Sequence, residues 1–160
     1  MKVLGIDPGL KITGYGLIEA HQNQIKLIET GTIQTESREP MPYRLKTVYT
    51  LLNELMEQHR PEVLVLEKLY AHYKLPTTAS ILGHARGVVC LLCAQKNIEL
   101  IEQSVKRIRK AITGNGNASK IQTKHVVAYL LKIDEAKLIL DASDALALAL
   151  GYIDLRRRKI

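Results

Sequence analysis

The chain has 160 residues, of which 46% are hydrophobic and 24% charged, and this balance favours one globular domain over a disordered chain. The net charge of +7 favours a polyanionic partner, either nucleic acid or an anionic membrane surface. A membrane anchor is not expected, because the apolar runs are far shorter than the roughly 20 residues of a spanning helix. Asp7 interrupts the first apolar run too early for a signal peptide. We therefore expect a soluble, cytoplasmic protein.

Hydrophobic patterns predict five strands. The first three are joined by short turns, which is typical of an antiparallel meander. The fourth is a continuous β-favouring run closed by Glu67, as expected for a central strand buried on both faces. The predicted strands are 2–7, 12–19, 25–34, 63–66 and 98–101.

Helical spacing predicts five helices around these strands. They are 43–59, 77–96, 104–114, 119–131 and a last helix that begins at Asp141 and ends in a basic run. The resulting order, β-β-β-α-β-α-β-α-α-α, predicts an α/β fold with a mixed five-stranded sheet and helices on its faces. With no repeat or linker in the sequence, we predict one domain over residues 1–155 and a short basic tail over 156–160.

Two cysteines, Cys90 and Cys93, form a C-x-x-C pair inside the apolar helix 77–96. A redox or zinc site would need activating neighbours or a second ligand pair, and the sequence offers neither. We therefore predict that both cysteines are small buried hydrophobes.

Four carboxylates adjoin strongly apolar elements. Asp7 and Glu67 each end a predicted strand, and Asp141 and Asp144 are three residues apart at the start of the last helix. If that helix lies beside the first and fourth strands, all four carboxylates converge and repel each other unless cations neutralise them. Mg²⁺ and Mn²⁺ prefer oxygen ligands, and two such ions about 4 Å apart suit an in-line phosphodiester displacement.

Each carboxylate also has an ordinary structural interpretation. Asp141 is a good helix N-cap, and Asp144 in the first turn complements the helix dipole. Glu67 fits a solvated strand end, and Asp7 before Pro8-Gly9 fits a turn. The coincidence of all four favours the metal site.

Five ordered motifs resemble the RuvC family of bacterial Holliday-junction resolvases, within the RNase H-like nuclease superfamily. They cover nearly the whole chain without a large gap. The motifs are Gly5-Ile6-Asp7-Pro8-Gly9 with Thr13-Gly14-Tyr15-Gly16, Leu66-Glu67 with Tyr70, Leu82-Gly83-His84-Ala85-Arg86-Gly87, Gly114-Asn115-Gly116 with Ala118 and Lys120, and Asp141-Ala142-Ser143-Asp144-Ala145.

The resemblance implies an RNase H-like fold, with three antiparallel strands and then parallel ones. It implies an endodeoxyribonuclease of DNA recombination and repair that nicks two opposed junction strands symmetrically, leaving 5′-phosphate and 3′-hydroxyl ends. By position, the four carboxylates would be the catalytic ligands of two Mg²⁺ ions, with Mn²⁺ able to substitute. The resemblance further implies a homodimer, with helix 77–96 at its interface or in the core, and the RuvA–RuvB branch-migration complex as a partner.

A set of basic and aromatic residues is predicted to contact DNA. The basic run borders a Gly-Asn-Gly turn whose backbone amides could approach phosphate. By resemblance, Arg109 and Lys120 match basic residues near the scissile phosphate, and Tyr70 matches a base-stacking position, although a buried tyrosine is equally compatible. The predicted set is Tyr70, Arg86, Lys106, Arg107, Arg109, Lys110, Lys120 and Lys124.

Three alternatives were weighed. An actin-like or sugar-kinase-like ATPase needs two domains, for which the chain is too short. A nuclease of the same superfamily that acts on RNA–DNA hybrids would lack the junction-branch motifs found here. A non-catalytic junction-binding protein would be indicated by the loss of one acidic ligand, and all four are present.

Tyr70 and Lys68 depart from the residues usual in the family, which are phenylalanine and an uncharged residue, so no cleavage sequence is predicted. His84 and His125 are assigned no role.

Overall fold

A five-stranded mixed sheet forms the centre of the protein in a computed structural model, which describes residues 1–22, 24–68 and 76–158. The spatial order is β3-β2-β1-β4-β5. The first three strands pair antiparallel, whereas β1, β4 and β5 run parallel, so the predicted sheet is confirmed. The strands are β1 (Lys2–Asp7), β2 (Ile12–His21), β3 (Gln24–Gln34), β4 (Val63–Glu67) and β5 (Glu99–Gln103).

Five α-helices connect and cover the strands in the predicted order. Local sequence sets two of their starts: Ser104 accepts a hydrogen bond from the Arg107 amide, and Ser119 forms a capping box with Gln122. None of the described helices is long and apolar enough to cross a membrane. The helices are α1 (Met41–His59), α2 (Pro76–Lys96), α3 (Val105–Thr113), α4 (Lys120–Leu131) and α5 (Leu140–Arg157), with a short 3₁₀ helix at Glu135–Lys137.

The sheet separates two hydrophobic layers, because successive side chains of a strand point to opposite faces. Even-numbered residues of β1 and β4 pack with α1 and α2, and odd-numbered ones pack with α3, α4 and α5. Asp7 and Glu67 are odd-numbered and continue the second set. The α1–α2 layer includes Leu4, Ile6, Leu64 and Leu66, and the α3–α5 layer includes Val3, Val63 and Val65.

The two cysteines lie on different sides of α2. Cys93 is buried in the α1–α2 layer, as predicted, but Cys90 is exposed, so the prediction for Cys90 is wrong. Three residues on a helix span about 300°, which places Cys90 just beyond the buried edge of this amphipathic helix.

Three glycines allow the backbone of α5 to lie directly on β1 and β2. A Cβ atom on Gly5 would stand 1.9 Å from the Ala145 carbonyl oxygen, and one on Gly14 would stand 2.1 Å from the Asp141 carbonyl oxygen. At Gly16, a Cβ would meet the Leu146 side chain at 2.5 Å. The absence of side chains at these positions therefore brings the first turns of α5 against the end of β1.

The close approach predicts that Gly5→Ala is strongly destabilising. The added methyl has only backbone to displace, so we expect a loss of about 3 kcal/mol or more, at the upper end of overpacking effects. Urea unfolding measures this loss, with Ile6→Val as the control because it removes one methyl from a fully buried side chain of the same strand, at about 1 kcal/mol. A loss for Gly5→Ala no larger than that of Ile6→Val would contradict the proposed role of the glycine.

Candidate active site

The carboxyl ends of β1 and β4 place Asp7 and Glu67 side by side. These strands are parallel neighbours, and their register pairs Ile6 with Leu66. The next residue on each strand is the acidic one, and both carboxylates face the α3–α5 layer. Positions just beyond the carboxyl ends of parallel strands are where sheets of this kind bind ligands.

Helix α5 brings the other two carboxylates to the same place. It begins at Leu140, and its N-cap is Ile139, which makes no side-chain capping bond. The interpretation of Asp141 as the N-cap is therefore wrong, since Asp141 is already inside the helix. The charges of Asp144, Glu67 and Asp141 all act on Asp7, as convergence of the four carboxylates requires.

A cavity of about 160 Å³ contains the centre of this cluster. Three of the four carboxylates line it, and the fourth, Asp141, is near enough for its charge to act on Asp7. Two cationic side chains and several apolar ones complete the walls, which limits access of water. The lining residues are Asp7, Glu67, Val105, Ile108, Arg109, Lys120, Thr123, Asp144, Ala147 and Leu148.

Burial and mutual repulsion make Asp7 an unusually weak acid. Desolvation is the main cause, and the charge of Asp144 adds to it, so the pKa of Asp7 is raised from 3.8 to about 7. Desolvation and the charge of Asp144 also raise the pKa of Glu67, against the opposing charges of Lys120 and Arg109. The pocket thus disfavours the ionised forms of Asp7 and Glu67 unless more positive charge is supplied.

Lys120 supplies part of that charge. It is the first residue of α4, and its Nζ donates a hydrogen bond of 2.5 Å to Asp144 Oδ2. Burial works against the lysine charge, but the bond to Asp144 and the neighbouring carboxylates raise the pKa of Lys120 above its usual value. Sequence reasoning placed Lys120 near phosphate and missed its ion pair with Asp144, since no local spacing links the two.

The residues fit a divalent cation by their chemistry. All the acidic donors are carboxylate oxygens, which suit hard ions such as Mg²⁺. The pKa of Asp7 stays raised despite the charge of Lys120, because desolvation and the neighbouring acids together outweigh that charge. Within residues 1–22, 24–68 and 76–158, however, no three acidic, histidine or cysteine side chains already have the spacing of a metal site. Lys120 already occupies one carboxylate oxygen of Asp144, so it would compete with a cation bound there.

Arg86 does not offer the DNA contact predicted for it. Its side chain is 8% exposed, and its guanidinium donates to the Glu67 carbonyl oxygen and to the Glu102 carboxylate of β5. The guanidinium is thus buried and already bound to two acceptors of the protein, which leaves little of it for contact with DNA. The sequence analysis did not identify Glu102, because its role depends on the contact between Arg86 of α2 and Glu102 of β5.

The other predicted DNA-binding residues that the structure describes lie on α3 and α4, the two helices that also line the cavity. Lys106, Arg107 and Lys110 are exposed on α3, and Arg109 on the same helix lines the cavity itself. Lys124 is half-buried on α4, one turn after Lys120. Tyr70 and the loop around it lie outside the described residues. The contact of this whole set with DNA stays a prediction.

Comparison with known proteins gives one family. The sequence profile described as "Crossover junction endodeoxyribonuclease RuvC" matches residues 3–152. Curated relatives of that name are 37% identical over 152 residues in Alkaliphilus metalliredigens, covering 95% of this chain and 92% of theirs, and 39% identical over 149 residues in Pseudothermotoga lettingae, covering 93% and 91%. The solved Thermus thermophilus RuvC structure is similar with a TM-score of 0.89 and 25% identity, covering 99% of this chain and 97% of that one.

The raised pKa of Asp7 predicts a pH-dependent stability effect for Asp7→Asn in metal-free buffer. The folded protein holds the Asp7 proton up to about pH 7 and the unfolded chain only to about pH 4, so ionisation of Asp7 costs folding free energy as the pH rises through this interval. Asparagine avoids that cost. We expect the Tm of Asp7→Asn, relative to the wild type, to be at least about 3 °C higher at pH 8 than at pH 4.

Differential scanning calorimetry in EDTA at the two pH values measures this difference. Glu54→Gln is the control, because Glu54 is an exposed carboxylate on α1. Its Tm relative to the wild type should change little with pH. Parallel Tm–pH curves for wild type and Asp7→Asn would show that the Asp7 carboxylate is not destabilised by its surroundings.

Proposed function

This chain belongs to the RuvC family of crossover junction endodeoxyribonucleases, and from that premise we propose which of its residues cut Holliday-junction DNA and with what cofactor. The family generally uses Mg²⁺, and here four carboxylates are proposed to bind two Mg²⁺ ions, with Mn²⁺ able to substitute. The proposed catalytic ligands are Asp7, Glu67, Asp141 and Asp144.

The observation that carries the proposal is the raised pKa of Asp7 inside a cluster of acidic side chains on a chain of net charge +7. A basic protein has no structural need to collect carboxylates in one poorly solvated pocket. Buried charges of one sign persist when a ligand of opposite charge stabilises them, and perturbed pKa values of this kind gather at functional sites. The presence of all four acidic residues argues against a non-catalytic junction-binding protein.

The chain's own residues have separate tasks in the proposed hydrolysis. Bound Mg²⁺ would activate water and stabilise the charge that develops on the scissile phosphate. Asp7 and Glu67 hold their side of the site from the ends of two paired strands, and Asp144 does so from α5. Lys120 and Arg109 bring positive charge into the same cavity, where they would bind the phosphate. The expected products carry 5′-phosphate and 3′-hydroxyl ends.

Exposed cations around the cavity are proposed to bind the DNA backbone. Lys106, Arg107 and Lys110 lie on α3, and Lys124 lies on α4, both of which contribute residues to the cavity wall. Phosphate contacts of this kind would position the junction without reading its sequence. Base stacking by Tyr70 and assembly with the RuvA–RuvB complex rest on family resemblance alone, and no described residue is assigned to either.

We propose that the outward face of α2 joins two copies of the chain. An open groove of about 460 Å³ runs along this face, lined by Ser80, Gly83, His84, Gly87, Val88 and Leu91. A Cβ atom added at Gly83 or Gly87 would meet nothing within 4 Å, and Leu91 is 53% exposed, so a second α2 could approach closely. The opposite face, with Val89 and Leu92, packs on the sheet, so α2 belongs both to the core and to the proposed interface. A two-fold dimer presents one site to each of two opposed strands.

The catalytic assignment predicts that Asp7→Asn abolishes cleavage while junction binding persists. Losing a metal ligand removes several kcal/mol of transition-state stabilisation, so we expect the single-turnover rate to fall by roughly 10²-fold or more. The assay uses synthetic four-way junctions, matched linear duplexes and RNA–DNA hybrids in Mg²⁺ or Mn²⁺, with binding measured separately in Ca²⁺.

Asp154→Asn is the matched control, because it makes the same change near the other end of α5, where Asp154 pairs with Arg158. It should cleave like the wild type. Tight junction binding by the wild type with no nicking in either metal would refute the enzymatic mechanism. Preferential cutting of hybrids would instead indicate the related nuclease that acts on RNA–DNA.

The proposed interface predicts that Leu91→Glu converts the protein to a monomer. In a two-fold contact the new glutamate of one copy would lie near that of the other, and their repulsion should separate the subunits. Sedimentation velocity should then show the mass of one chain. On a supercoiled plasmid bearing a cruciform, paired nicks give linear DNA and single nicks give open circles, so the linear product should be lost. Leu130→Glu is the control, since Leu130 is 44% exposed on α4, on the other side of the sheet. A dimeric Leu91→Glu would place the interface elsewhere.

A further inference from the structure

A buried arginine connects three elements at the edge of the active site. Arg86 projects from α2 to the ends of β4 and β5, where its Nη1 donates to the Glu67 carbonyl oxygen and its Nη2 to Glu102 Oε1. Glu102 is opposite Leu66 in the parallel β4–β5 register, so it faces α2 and not the cavity. The guanidinium therefore spans two neighbouring strands just beneath the carboxylate cluster.

The contact fixes the end of β4 where the strand stops. Beyond Glu67, the Lys68 amide makes one more bond to β5, donating to the Gln103 carbonyl oxygen at 2.8 Å. The Glu67 carbonyl, on the same peptide group as the Lys68 amide, is bound by Arg86. A planar guanidinium with two acceptors in fixed directions defines position and orientation together, which a lysine ammonium does not. The backbone from which the Glu67 carboxylate projects is therefore held on both sides.

Stability alone explains this ion pair poorly. Burying the Arg86 charge carries a large desolvation cost, and solvent screens its attraction to Glu102, which is 46% exposed. A leucine or methionine on α2 would fill the same space in the α1–α2 layer. What an apolar side chain lacks is a directed bond to the Glu67 backbone.

We propose that Arg86, anchored by Glu102, is a positioning residue that orients Glu67 for metal binding, an inference that rests on the proposed role of Glu67 as a metal ligand. The guanidinium touches neither DNA nor metal and acts only through the β4 backbone. Groups of this kind, one step removed from a metal, typically change metal affinity or activity by about 10–100-fold when they are removed.

The test measures metal binding directly. Mn²⁺ binding to the junction-free protein is followed by the loss of the free-ion EPR signal, and the Mg²⁺ concentration for half-maximal cleavage is measured in parallel. We expect Arg86→Met to weaken Mn²⁺ binding and raise the half-maximal Mg²⁺ concentration by about 10-fold or more. Junction affinity in Ca²⁺ should be unchanged, and saturating Mg²⁺ should restore much of the rate.

Two further variants separate position from charge and from folding. Arg86→Lys keeps the charge but cannot donate to both acceptors in the fixed directions of a guanidinium. It should therefore behave like Arg86→Met if the orientation of Glu67 is what matters. Glu102→Gln removes the anchoring charge from a side chain that is 46% exposed, and it should weaken Mn²⁺ binding in the same direction. It carries the test if Arg86→Met does not fold. Full metal affinity in Arg86→Lys, or in Glu102→Gln, would overturn the positioning role.

The control is Lys96→Met, which removes another cation of α2. Lys96 pairs with Glu57 at 3.0 Å at the far end of the helix, so its loss should leave Mn²⁺ binding unchanged.

Glu67→Gln separates this inference from the proposed function. If Glu67→Gln binds Mn²⁺ like the wild type, Glu67 is not a ligand and the proposed function fails. If Glu67→Gln loses the metal while Arg86→Met keeps it, only the positioning role is wrong.

Discussion

The cost of gathering carboxylates in a poorly solvated pocket, first through desolvation and then through mutual repulsion, is the constraint on which this protein depends. Asp7 shows it most directly, because burial and neighbouring acids raise its pKa to about 7. Such repulsion is tolerable only if rigid elements hold the acids together and cations lie within reach. The strand ends and α5 supply the rigidity, and Lys120 supplies the nearest positive charge. Each surrounding element either holds the carboxylates in place or brings positive charge near them.

The two layers of the fold divide this work. The α3–α5 layer carries the acids of α5 and the cations of α3 and α4, so the chemistry lies on one face of the sheet. Among the described residues, none that lines the carboxylate cavity belongs to the α1–α2 layer, but Arg86 of α2 reaches the end of β4. Because α2 also presents the groove proposed as the dimer contact, one helix adjoins both Glu67, a proposed metal ligand, and the proposed subunit contact.

Most of the fold and the acidic set were predictable from sequence because they follow local rules. Strand and helix periods gave the element order, and strand ends identified Asp7 and Glu67. Ion pairs between residues distant in the sequence were not predictable: Lys120 and Asp144 are 24 residues apart, and Arg86 and Glu102 are 16 residues apart. Arg86 was assigned to DNA because a lone arginine in a motif carries no information about burial. The Asp141 cap was wrong because N-cap preference does not fix the starting residue of a helix that packs against a sheet.

The glycines under α5 also determine where this fold can change over evolutionary time. Most helix–sheet contacts are cushioned by side chains, and a core of that kind can exchange one apolar residue for another while keeping its volume. No side chain separates α5 from the strands at Gly5, Gly14 and Gly16, since the α5 backbone or Leu146 occupies the space that a methyl group would take. Compensating substitutions are thus largely closed to this contact, whereas apolar side chains of the opposite layer can be exchanged at constant volume. Sequence divergence should accordingly be greater among the apolar side chains of the α1–α2 layer than at the three glycines.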